Sequence, residues 1–166
     1  GLLFIAMEFL HGKSLRDIID KEGRLSAARS LKIVSQMCQS LAEAHTRGLI
    51  HRDIKPSNIF TCRMGLDVDF VKVLDFGLAR GREEVITAEC GGPDGTVDLV
   101  LTDGQALLGT AAYMSPEQVG GAQVDRRVDI WAFGAVLYEM LSGRALFSGG
   151  STSEILGAVL RDQIDW

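Results

Sequence analysis

Three cysteines in 166 residues, Cys38, Cys62 and Cys90, leave little room for thiol or zinc chemistry. They lie far apart, with no Cys-x-x-Cys pair and no histidine at zinc spacing. That argues against a metal cluster or disulfide framework and fits a reducing cytoplasm. Basic residues are scarce as well: 17 Lys and Arg face 22 Asp and Glu, for a net charge of -5. They are scattered rather than clustered, so nucleic acid is set aside as the main partner. Long apolar runs are missing. The longest, Trp131 to Leu141, is about half the ~20 residues that span a bilayer, and it reads as a buried helix. The start shows no signal-peptide pattern. With 46% apolar and 23% charged residues, the chain reads as globular, with the length for one domain and its own core.

The informative residues are concentrated in His51-Arg52-Asp53-Ile54-Lys55-Pro56-Ser57-Asn58 and Asp75-Phe76-Gly77. Phosphoryl transfer needs a nucleophile held in line and negative charge neutralised on the moving group. Asp53 can accept the hydrogen bond, and then the proton, of an attacking hydroxyl. Lys55 places a positive charge beside the transferring phosphate. Asn58 and Asp75 offer hard oxygen ligands suited to magnesium. Between them, Ile59-Phe60 reads as one strand, Thr61 to Asp69 as a loop, and Phe70 to Leu74 as a second strand. This small hairpin brings Asn58 and Asp75 to one end.

Upstream, Leu31, Val34, Cys38, Leu41 and His45 recur at three- and four-residue spacing, predicting a helix from about Ser26 to Thr46 with that apolar face. Ser26 is its expected N-cap and Gly48 its stop. The helix delivers Leu49-Ile50-His51 to the core, and His51 is read as a satisfied packing imidazole rather than a base.

The two motifs resemble those of protein kinases, and the resemblance continues. Gly109-Thr110-Ala111-Ala112-Tyr113-Met114-Ser115-Pro116-Glu117 resembles the substrate-docking end of a kinase activation segment, with Ser115 where alanine is commoner. Asp129-Ile130-Trp131-Ala132-Phe133-Gly134 resembles the start of the central helix of the C-terminal lobe. Met7-Glu8-Phe9-Leu10 resembles the hinge, and Gly12-Lys13-Ser14-Leu15 the turn after it. Overall the chain is most similar to bacterial eukaryotic-like serine/threonine protein kinases. The resemblance implies a mainly α fold with a small β-hairpin, namely a C-terminal lobe fragment. Residues 1–12 would hold the last N-terminal-lobe strand and the hinge, 13–166 an incomplete C-terminal lobe, and 75–117 the activation segment. No Gly-rich loop and no Val-Ala-Ile-Lys-like strand is found, so the isolated chain is expected to transfer negligible phosphate. The family also pairs the glutamate at Glu117 with an arginine from helices beyond Trp166, without which a buried Glu117 would be costly.

The resemblance further implies ATP and Mg2+ as cofactors and a protein with a serine or threonine acceptor as partner. Asp53, Lys55, Asn58 and Thr110 would be catalytic, and Asn58 and Asp75 would bind metal. Glu8, Leu10, Phe60 and Asp75 would meet the nucleotide, with Leu10 offering backbone groups to adenine. His51, Glu117 and Asp129 would give structural support, Asp129 by holding the catalytic-loop backbone. Residues Gly81 to Gln105 lack any period and read as a long loop. Arg52 would pair with a phosphate on it, Thr102 being the leading site, then Thr96 and Thr87. Two other functions stay open: a small-molecule phosphotransferase, against which Lys55 and Ser115-Pro116-Glu117 argue, and a non-catalytic interaction module. A cytoplasmic location is expected, with membrane anchoring of the whole protein left open.

Overall fold

The computed structural model describes residues 8–65, 67–76, 109–162 and 164. In chain order these form β1 (Gly12–Ser14), α1 (Leu15–Glu22), α2 (Ala27–Thr46), a turn of 3-10 helix (Pro56–Asn58), β2 (Ile59–Met64), β3 (Asp67–Val73), α3 (Pro116–Val119), α4 (Arg127–Ser142) and α5 (Thr152–Arg161). Serine starts α1, α2, α3 and α5. Ser14, Ser26, Ser115 and Ser151 each accept the backbone N–H three residues on, from Asp17, Arg29, Gln118 and Glu154. Each such cap contributes about 1 kcal/mol by satisfying an N–H that the helix cannot.

The α2 boundaries agree with the sequence expectation, and Gly48 ends the helix at a φ of 73° that L side chains avoid. Its buried face is shifted, however. Ser30, Ile33, Val34, Met37, Leu41 and Ala44 point inward, while Leu31 is 65% exposed and Cys38 is exposed. Spacings of three and four residues fit both sets. The inward set wins because Ile33 and Met37 meet Ala132, Val136 and Met140 of α4 in one core cluster, which also takes in Leu15, Ile54 and Ile59.

The predicted hairpin is present, but as part of a three-stranded antiparallel sheet in the order β1-β2-β3. Residues expected to form a loop over Thr61 to Asp69 are mostly strand: β2 runs to Met64 and β3 starts at Asp67, with Cys62 facing Phe70 and a register shift between Cys62 and Met64. The turn is therefore confined to the neighbourhood of Gly65. Gly12-Lys13-Ser14, expected only as a turn, pairs with Cys62, Thr61 and Phe60. A side chain at Gly12 would set its Cβ 2.1 Å from the Thr61 carbonyl oxygen, so the approach of β1 to β2 depends on glycine there. Among the described residues no helix is long and apolar enough to cross a membrane.

Candidate active site

The loop from His51 to Asn58 leaves α2 and enters β2 through the 3-10 turn, and its backbone is bound at several points. His51 is fully buried. Its Nδ1 accepts the Asp53 N–H at 3.2 Å, so the ring proton sits on Nε2, which donates to the Leu74 carbonyl at 2.7 Å. The ring meets Phe76 edge-on, centroids 4.7 Å apart. Arg52 has a φ of 68°, a left-handed conformation that costs an ordinary side chain about 1–2 kcal/mol. Asp129, in the first turn of α4 and 0% exposed, offsets that cost. Its Oδ1 accepts the Arg52 N–H at 2.8 Å and its Oδ2 the His51 N–H at 2.9 Å. His45 Nε2 lies 2.7 Å from the same Oδ2.

Three polar side chains converge within this frame. Asp53 Oδ2 lies 2.9 Å from Lys55 Nζ and accepts from Asn58 Nδ2 at 3.1 Å; Nδ2 also donates to the Asp53 carbonyl at 2.8 Å. Lys55 Nζ donates to Thr110 Oγ1 at 2.8 Å, which brings the segment before α3 onto the cluster. Asp53 Oδ1 is buried and accepts no hydrogen bond among the described residues. A buried carboxylate oxygen without a donor is costly, which marks Oδ1 as the unmet acceptor of this cluster.

Asp75 follows β3 with an exposed carboxylate and a φ of 63°. The preceding residue fixes it: the Leu74 N–H donates to the Asn58 carbonyl at 2.8 Å, and the Leu74 carbonyl accepts from His51. Asn58 and Asp75 thus adjoin at one end of the β2–β3 ladder, beyond the Ile59–Val73 pair. Because Asn58 spends its NH2 on Asp53, its remaining polar atom is a carbonyl oxygen. One amide oxygen and one carboxylate fit magnesium, which keeps waters and phosphate oxygens for its other positions.

A cleft of about 620 Å³ opens beside Asp75, within the range of small-ligand sites. Its lining includes Glu8, Leu10, Phe60, Lys72, Leu74 and Asp75, so the four residues assigned to nucleotide from sequence border one space. Lys72 pairs with the exposed Glu8 carboxylate across it. Glu117 is half-buried rather than buried, and its side chain has no hydrogen bond among the described residues. Arg52 is half-buried. Thr87, Thr96 and Thr102 lie outside the described residues, as do Met7, Gly77 and the span 77–108 of the segment 75–117.

Sequence reasoning missed two polar groups. His45 was assigned to an apolar stripe, yet it reaches Asp129; a lone histidine in a helix stripe was the available signal. Glu139, 3% exposed, binds Arg16 Nη2 at 2.6 Å and accepts the Tyr113 hydroxyl. Burial, reinforced by that hydrogen bond and the Glu139 charge, holds the Tyr113 hydroxyl well above its ordinary range. Burial alone would lower the Arg16 pKa, but the hydrogen bond and charge of Glu139 outweigh it and raise the value.

A family model described as "Protein kinase domain" matches residues 2–165. Among curated proteins, the chain is 42% identical over 151 residues to the serine/threonine-protein kinase pkn3 of Myxococcus xanthus, covering 91% of this chain and 26% of that protein. It is 40% identical over 150 residues to the serine/threonine-protein kinase PknB of Mycobacterium tuberculosis, covering 90% and 21%. It is also 40% identical over 154 residues to a probable serine/threonine-protein kinase PknB of Bifidobacterium longum, covering 93% and 20%. The chain thus spans about a quarter or less of the length of these relatives.

Proposed function

The chain belongs to the protein kinase family, and from that premise we propose that it carries the catalytic loop and metal-binding end of an enzyme that phosphorylates serine and threonine hydroxyls of proteins from ATP. The single observation that carries this reading is the convergence of Lys55 Nζ and Asn58 Nδ2 on Asp53 Oδ2, at 2.9 and 3.1 Å, with Oδ1 left over.

Asp53 is held by two donors on one oxygen, so its other oxygen is aimed and available to accept the proton of the substrate hydroxyl. Lys55, fixed between Asp53 and Thr110, brings an ammonium to the transferring phosphate, where charge redistributes in the transition state. Asn58 and Asp75 would hold magnesium, which neutralises the phosphate oxygens of the nucleotide when bound. His51 cannot compete as the base, because its Nδ1 already accepts the Asp53 N–H. The cleft bordered by Leu10 and Phe60 would take the adenine, and Arg52 would meet a phosphate on the activation segment. Peptide-acceptor chemistry is favoured over small-molecule transfer by Lys55 and by the segment ending in Ser115-Pro116-Glu117.

The test is phosphate transfer by the full-length natural protein from ATP and Mg2+ to a generic protein acceptor. Serine and threonine phosphate should form, and Asp53→Asn should lower kcat by roughly 10²–10⁴-fold, the usual worth of a positioned base. Transfer that survives Asp53→Asn unchanged would end this reading.

A further inference from the structure

Arg52, the residue that leads into Asp53, is gripped at both of its backbone polar groups. Asp129 takes the N–H of Arg52, and the carbonyl of the same residue accepts a hydrogen bond from Gln118 Nε2 at 2.9 Å. Gln118 belongs to α3, directly after Ser115-Pro116-Glu117. Its other amide atom is engaged as well: Oε1 accepts the Ser115 N–H at 3.0 Å, while Ser115 Oγ accepts the Gln118 N–H at 3.4 Å. The orientation of the amide is unambiguous, since Ser115 offers a donor and Arg52 an acceptor. One side chain therefore closes a capping box on α3 and holds the left-handed residue next to the base.

We propose that Gln118 is a positioning residue for Asp53, coupling the substrate-docking segment to the catalytic loop through the Arg52 carbonyl. The inference rests on the phosphoryl-transfer reading above. Chemistry separates this role from plain helix capping. Glutamate at the same place of a capping box accepts the Ser115 N–H equally well and suits the positive helix end. It has no N–H to offer, however, and would set a carboxylate oxygen against the Arg52 carbonyl oxygen. Capping tolerates the exchange; positioning does not.

The experiment compares wild type, Gln118→Glu and Asp53→Asn in the full-length natural protein, reading kcat, KM for ATP, thermal midpoint and amide exchange over residues 51–58. Gln118→Glu should lower kcat by about tenfold or more, with KM for ATP within about twofold, because the lost interaction serves the transition state rather than nucleotide binding. Exchange over 51–58 should rise more than elsewhere, with the thermal midpoint lowered by no more than the few degrees that one lost hydrogen bond accounts for. A Gln118→Glu kcat within about twofold of an active wild type, with Asp53→Asn inactive, overturns the inference and leaves the functional reading standing. A loss of kcat that tracks a lowered midpoint and raised exchange throughout also overturns it, by reducing Gln118 to a structural cap. A wild type that transfers no phosphate overturns the functional reading, and this inference falls with it.

Discussion

At Lys55 one ammonium serves two acceptors, Asp53 Oδ2 and Thr110 Oγ1. A hydrogen bond to a charged group contributes about 1.5–3 kcal/mol, so Thr110 should limit how far Lys55 can swing from the reacting phosphate. Thr110→Val preserves shape and removes the acceptor. Its expected effect in the full-length protein is a fall in kcat of roughly tenfold to a hundredfold, with the midpoint of thermal unfolding lowered by a few degrees, as loss of that one hydrogen bond requires. A kcat equal to wild type in steady-state assays would show that Lys55 needs no second anchor. That Asp53, Lys55 and Asn58 share one loop was legible from their intervals, and the structure brings their side chains together. The role of His45 was not legible: its partner Asp129 stands 84 positions away, and no local pattern announces a bond of that range. Gln118 escaped for the same reason, since its distant partner is a backbone carbonyl, which sequence cannot distinguish from any other.

At the scale of elements, side chains of α2 bind both a side chain and the backbone of β3. Arg29 forms a two-pronged bond to Asp69, with Nε at 2.8 Å and Nη2 at 2.9 Å. That bond, followed by burial acting against it and by a further bond to Glu22, leaves the Arg29 pKa raised. Gln36 accepts the Val71 N–H at 3.0 Å and donates to the Asp69 carbonyl at 2.9 Å. Lys32 donates to the Val68 carbonyl. The β3 edge of the sheet is thereby covered by a helix rather than left open to another chain. Gln36→Ala would strand the Val71 N–H beneath α2, at a cost of about 1–3 kcal/mol. Denaturant titration should register that loss, and an unchanged midpoint would mean the N–H finds another acceptor. The extent of β2 and β3 was underestimated from sequence because Arg63, Gly65 and Asp67 look like loop residues. Pairing across the ladder and support from α2 override that local preference.

Over the whole molecule, half-buried Arg16 with buried Glu139 and Tyr113 ties α1, α4 and the segment before α3 into one body. The Tyr113 hydroxyl is raised by burial first and by Glu139 second. Above about pH 10 the unfolded chain releases this proton while the folded one keeps it. Stability supplied by the hydroxyl is therefore complete below that pH and declines as pH rises further. Tyr113→Phe should be less stable than wild type at about pH 8, and the gap should narrow towards about pH 11. Urea unfolding of both proteins across that range checks the sign; a gap that widens in alkali contradicts it.

Sequence alone determined the chemistry and the local turns of this protein: which residues can take a proton, carry a charge or bind a hard cation, and where serine starts α2 and Gly48 ends it. Those properties reside in single side chains or in neighbours a few positions apart. Tertiary structure decided which face of α2 is inside, how far the strands run, and which distant groups hold Arg52 in its left-handed conformation. Each depends on partners brought together only when the core closes, when one of two equally periodic faces meets α4 and a backbone carbonyl meets the amide of Gln118.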